Sequence, residues 1–219
     1  MNAPFHILLL RHGQTDANAG GVLQGHQPTP LNSLGRRQAG LLAARIGAFV
    51  PRPDVLVSSD LPRAAQTAEP IAAALKLPVV TDAAWRERGF GEFEGKTVGE
   101  REIWRAAAGD SDPPGAEAVE AFHCRVLSAL AGLPGRFPDA RCVAVVTHGG
   151  PVRTVLRGLV DGVLARANGQ AAPELVSIVN CSIMHLVTQR TASNGRAWTL
   201  NCVNDAVHLD TLATARDAG

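Results

Sequence analysis

The chain has 219 residues, 46% of them hydrophobic and 19% charged, with a formal net charge of +1. That length and apolar content suffice for a full core and predict a single domain over residues 1–219. Near neutrality speaks against a nucleic-acid or membrane surface, so any preference for anions must be local to a pocket.

The start, Met1-Asn2-Ala3-Pro4, has no basic segment leading into a long apolar stretch, and neither a signal peptide nor a spanning helix is expected. Residues His6–Leu10 form an apolar run of the kind found in buried parallel strands, and it breaks off into Arg11-His12-Gly13. The next periodic stretch predicts a helix over Ser33–Phe49, with Ser33 as cap and Leu34, Leu41, Leu42, Ile46 and Phe49 as its core stripe. Asp54–Val57 reads as a second strand. Ser59 or Asp60 then caps a helix over Leu61–Leu75, with Pro62 in its first turn and Arg63 projecting from that turn. A polar, breaker-rich loop is expected over Ala106–Gly115, then a helix over Ala116–Leu133. A third strand, Arg141–Val146, ends in Thr147-His148-Gly149-Gly150 and passes into a helix over Pro151–Val160. Gly162–Pro173 reads as a second loop, followed by strands over Ser177–Asn180, Ser182–Val187 and Ala197–Val203. Alternating strands and helices predict an α/β fold, a three-layer sandwich with a mostly parallel sheet flanked by helices.

Open α/β sheets build their sites just beyond the carboxyl ends of their strands. Arg11-His12 and His148 both occupy such tips, and Arg63 lies in a helix first turn, where backbone amides already favour an anion. Two strand-end histidines beside two arginines suggest a nucleophile or base next to an anion clamp. The cysteines Cys124, Cys142, Cys181 and Cys202 lack metal-type spacing and read as reduced core residues of a cytoplasmic protein. His26, His123 and His185 have no partner pattern, so neither a metal nor another cofactor is expected.

These segments, in order, resemble the histidine phosphatase superfamily, in its phosphoglycerate-mutase-like branch. The resemblance rests on Leu10–Thr15 with Asn18, Gln24-Gly25, Pro30–Asn32 and Ser58–Leu61 through Thr67-Ala68. It continues with Arg86-Glu87 through Gly91 and Glu94-Gly95, then Thr147–Gly150, Asn204-Asp205 and His208-Leu209. It implies that His12 is the nucleophile of a phosphohistidine mechanism, that Arg11 and Arg63 grip the phosphoryl oxygens, and that His148, if protonated, adds a further donor. It singles out Glu87 from Glu87, Glu92 and Glu94 as the proton shuttle, with Arg86 and Arg88 expected to point outward. Asn18, Gln24, Gly25 and Gly149 fall on the substrate side, with Thr15 in support.

Three departures from the family pattern stand out. Around Pro30-Leu31, Thr29 stands where an acidic residue is common and Asn32 replaces a threonine; Trp85 replaces a leucine and is either a narrowing of the entrance or core; and Ala116-Glu117 falls where relatives often have Gly-Glu-Ser, which makes Glu117 a substrate-side candidate. The mutases carry a Tyr-Gly and adjacent arginines after the catalytic glutamate. This chain has Phe90-Gly91, no tyrosine, and its only adjacent arginines, Arg36-Arg37, lie in the first helix. A metal-independent phosphomonoesterase acting on small phosphorylated metabolites is therefore favoured. A bisphosphoglycerate-dependent phosphoglycerate mutase is the first alternative, and a catalytically silent binding protein on the same fold the second. The expected partner is a small phosphate ester (sugar phosphate, phosphoglycerate, nucleotide-pathway monoester or ribazole phosphate). Nucleic acid and membrane are not expected, and a homodimer is left open.

Overall fold

Residues 3–108, 112–160, 177–191 and 195–214 are described by the computed structural model. The opening apolar run is strand β1 (Phe5–Arg11), near the middle of a six-stranded sheet. The other strands are β2 (Val55–Ser58), β3 (Val79–Thr81), β4 (Cys142–Thr147), β5 (Ile183–Arg190) and β6 (Arg196–Asp205), in the spatial order β3-β2-β4-β1-β5-β6. β1, β4, β2 and β3 run parallel, while β5 and β6 add an antiparallel edge.

Helices α2 (Ser33–Gly47) and α3 (Pro62–Leu75) cover one face, and α5 (Val119–Arg136) and α6 (Gly149–Val160) the other. Side chains alternate across a strand, and β1 is buried on both sides. Leu8 and Leu10 pack with Leu42, Ile46 and Ile71, whereas Ile7 and Leu9 pack with Val126, Leu130 and Val155. Trp85 is fully buried in the second of these layers, so it fills core and does not narrow an entrance. The remaining helices are α1 (Asp16–Ala19), α4 (Val98–Ala108) and α7 (Asp210–Thr214).

Several local expectations are corrected. α2 is capped by Asn32, whose Oδ1 accepts from the Gly35 amide at 2.8 Å, not by Ser33. Neither Ser59 nor Asp60 is the cap of α3; that position is Leu61, without a side-chain bond. Ser177–Asn180 is not a strand. Its backbone is satisfied by side chains instead of a ladder: the Ile178 carbonyl accepts from Arg11 Nη1, and the Val179 amide donates to Asn204 Oδ1 at 2.7 Å. Residues Ala106–Ala108, expected in a loop, close α4. Its start is a capping box: the Glu100 amide donates to Thr97 Oγ1 at 3.1 Å, and Glu100 Oε2 accepts from the Thr97 amide at 2.7 Å. The loop expected at Gly162–Pro173 lies outside the described residues. Cys142 and Cys181 are core thiols as expected, but Cys124 is exposed. Among the described residues, no helix is long and apolar enough to cross a membrane.

Candidate active site

Because β1, β2 and β4 are parallel and in register, with Arg11 opposite Thr147 and Ser58 opposite Val146, their carboxyl ends deliver Arg11-His12, Ser59 and Thr147-His148 to one edge. Backbone bonds fix the tips: the His12 amide donates to the Thr147 carbonyl and the Ser59 amide to the Val146 carbonyl, both at 2.9 Å. Gly13 lets α2 come close. A Cβ there would lie 2.5 Å from the Gly35 carbonyl oxygen, so its freedom serves helix packing.

His12 is buried, and its Nδ1 lies 2.7 Å from the Gly13 carbonyl oxygen. A carbonyl only accepts, so Nδ1 carries the ring proton and Nε2 keeps its lone pair. Burial first, then the neighbouring Arg63 and Arg11 charges, hold this imidazole well below its usual pKa and therefore neutral. The His148 ring stands edge-on to it, with centroids 5.1 Å apart. His148 is likewise driven well below its usual pKa by burial and by Arg63. It is thus held toward the neutral form, where the resemblance had left an imidazolium open. Its Nε2 lies 2.9 Å from Ser59 Oγ, which also accepts from the Leu61 amide at 3.3 Å. In the tautomer whose lone pair lies on Nε2, the Ser59 hydroxyl donates to His148. Nδ1, buried and without a protein partner, is then an uncharged donor.

The two arginines are held by their ends. Arg63 donates from Nη2 to the Gly25 carbonyl at 2.8 Å and from Nη1 to the Gln27 carbonyl at 3.1 Å. Burial pushes both Arg11 and Arg63 down to about 10, against the pull of the Glu87 carboxylate, and both stay charged near neutrality. Their Nε atoms are buried and lack a protein acceptor. Buried donors are ordinarily paired, so Arg11 Nε, Arg63 Nε and His148 Nδ1, gathered around one imidazole, form a ready anion cradle.

Glu87 Oε2 accepts from the Gly150 amide and Oε1 from the Arg88 amide, both at 2.9 Å. A Cβ on Gly150 would run into Oε1. The loop bearing Glu87 is clamped from α5: Arg125 donates to the Ala84 and Arg86 carbonyls at 2.9 and 3.1 Å and pairs with Glu117 at 2.7 Å. His26 Nε2 adds a bond to the Glu87 carbonyl at 2.9 Å. Glu117 thus braces Arg125 and does not line the cleft. Arg86 is paired with Asp60, while Arg88 bonds Asp112 and the Glu117 carbonyl and is turned into the structure, not outward as expected. Glu94 accepts the His26 and Phe90 amides at 2.9 and 3.1 Å, and Glu92 is exposed.

A cleft of about 380 Å³ is lined by Arg11, His12, Asn18, Gln24, Gly25, Arg63, Glu87 and Gly149. Every sequence-predicted site residue is thus on its wall except His148, whose ring contacts that of His12, and Thr15. Thr15 is fully buried, caps α1 and reaches Gln24 Oε1 at 2.9 Å. Asn18 Oδ1 is taken by the Thr15 amide and by Asn180 Nδ2, at 3.2 Å each, which leaves its amide nitrogen for a ligand. Sequence reasoning missed Ser59 as the partner of His148, the Arg125 clamp, and Arg101 and Arg153 on the cleft wall. Arg153 had a signal: in helix α6 it lies four residues after Gly149, and helical side chains lean toward the N-terminus. Among the described residues, no group of three or more His, Cys, Asp or Glu is placed to hold a metal ion.

The histidine phosphatase superfamily (branch 1) model matches residues 7–204. This chain belongs to that superfamily. An Arabidopsis thaliana phosphoglycerate mutase-like protein is 34% identical over 93% of this chain and 86% of its own length. An uncharacterized phosphatase of Bacillus subtilis is 33% identical over 71% of this chain and 78% of its own. Among solved structures, a mycobacterial glucosyl-3-phosphoglycerate phosphatase superposes with a TM-score of 0.75 at 30% identity, covering 91% of this chain and 99% of that one. The histidine phosphatase fold expected from the sequence is the fold observed.

Proposed function

We propose that this histidine phosphatase is a metal-independent phosphomonoesterase that acts through a phosphohistidine on His12. The observation that carries the reading is the neutral His12, its lone pair on Nε2, set among the unpartnered donors of Arg11, Arg63 and His148. Nε2 attacks phosphorus, the ester P–O bond breaks, and Glu87 gives its proton to the leaving oxygen. In the second step Glu87 takes a proton from water, whose oxygen attacks phosphorus. The P–N bond breaks, and inorganic phosphate leaves with His12 restored. The arginines and His148 hold the charge that spreads over the equatorial oxygens in both steps. Solved structures of the mycobacterial relative carry VO3 and inorganic phosphate, which supports a phosphate-like ligand for this chain.

The test is hydrolysis of p-nitrophenyl phosphate with chelator present. Wild type turns it over, and His12→Ala lowers the rate by at least about 1000-fold, the scale of losing a covalent nucleophile. Activity lost to chelator, or retained in His12→Ala, would overturn the reading. The likeness to the Arabidopsis mutase-like protein keeps mutase as the second reading. It is favoured if wild type leaves monoesters intact and interconverts phosphoglycerates when their bisphosphate is added.

A further inference from the structure

Beside the phosphoryl cleft lies a second cavity of about 320 Å³, and Glu87, Phe90, Arg101 and Arg153 line both. The carboxylate assigned to the leaving oxygen thus stands where the two spaces meet, so the leaving half of an ester held at His12 extends into the second. That space is cationic. Among the described residues lining the two cavities, Glu87 is the only carboxylate, and both its oxygens already accept backbone amides. Arg88 is occupied by Asp112, and Arg101 by Glu102 at 2.7 Å. Arg153 has neither a hydrogen bond nor an ion pair among the described residues. Its guanidinium reaches back over the first turn of α6, where a Cβ on Gly149 would lie 3.2 Å from Arg153 Nη1 and 3.7 Å from Arg11 Nε. Two guanidinium groups flank Gly149, and neither forms an ion pair with a carboxylate among the described residues, an arrangement that favours an anion on the ligand.

We propose that Arg153 selects substrates whose leaving half carries a second anionic group, a carboxylate or a second phosphate. The inference deepens the phosphatase reading and rests on the cleft assigned there. Phe90 and Phe122 supply apolar walls to the same cavity, so a carbon skeleton between the two anions is accommodated.

The test is calorimetric titration of the non-turning His12→Ala protein with two matched pairs. One pair is 3-phosphoglycerate against glycerol 3-phosphate, which differ by a carboxylate. The other is fructose 1,6-bisphosphate against fructose 6-phosphate, which differ by a phosphate. The doubly anionic member of at least one pair binds about 10-fold tighter or more, the worth of one charge-assisted contact, and the pair showing the gap names the anion. Adding Arg153→Met closes the gap, whereas Arg153→Lys, which keeps the charge, preserves part of it. Equal affinities within both pairs, or a gap that survives Arg153→Met, would overturn the proposal. Because affinity is read without turnover, failure of the phosphatase reading shows separately, as wild type that leaves p-nitrophenyl phosphate intact.

Discussion

His12 and His148 enter the folded state uncharged, and that has a cost which appears in acid. Unfolded, each titrates near its usual value of 6.5; folded, burial and the flanking arginines hold both well below it. Between those limits the unfolded chain binds more protons than the native one, so stability rises with pH there and is lost as pH falls below 6.5. Each histidine steepens the fall by up to about 1.4 kcal/mol per pH unit. His6, His123, His185 and His208 are shifted in the same direction. Urea unfolding is therefore expected to give a plateau above pH ~6.5 and a decline toward pH ~5, shallower in His12→Asn. Stability that stays flat across that window would contradict the neutral-histidine assignment. The strand-tip histidines were legible in the sequence. Their charge state was not, because it depends on arginines that the fold brings in from other segments.

At the level of elements, the runs that became β1, β2 and β4 and the helices α2, α3, α5 and α6 were legible, since each pairs a long apolar pattern with a terminal signal. Strand β3, three residues long, gives no usable period. Helix α4 announced itself through the Thr97–Glu100 capping box and a run of alanines, and was hidden by the Gly-Asp-Ser-Asp-Pro stretch that follows. Ser177–Asn180 shows the opposite error: an apolar pair between polar residues looked like a strand, but its partners are side chains of Arg11 and Asn204. The Arg125 clamp from α5 was invisible for the same reason, because its acceptors are backbone carbonyls about 40 residues away. It leads to a prediction about positioning. Arg125→Met frees the loop that carries Glu87, so kcat falls about 10-fold or more for alkyl phosphates, which need a proton on the leaving oxygen. It falls much less for p-nitrophenyl phosphate, whose leaving group departs as the anion. An equal loss for both esters would mean that Arg125 only stabilises the protein.

For the molecule as a whole, parallel strands ending at one edge turn three separated segments into one site, and a fourth, the Glu87 loop, joins it from the side. Arg11, His12, Arg63, Glu87 and His148 were legible as a set because their motifs are local, and the fold needed only to bring the tips together. Arg153 and the second cavity were not, because a lone helix arginine acquires meaning only from what its helix faces. The central claim is a covalent phosphoryl group on His12, and it is tested most directly in the Glu87→Gln protein with p-nitrophenyl phosphate. The first step needs no acid with this leaving group, while the second lacks its base. The expected result is a burst of p-nitrophenolate of about one per protein, with the phosphoryl group recovered on His12 as an acid-labile, base-stable adduct. Slow linear release without a burst, or a phosphoryl label that survives His12→Ala, would contradict it.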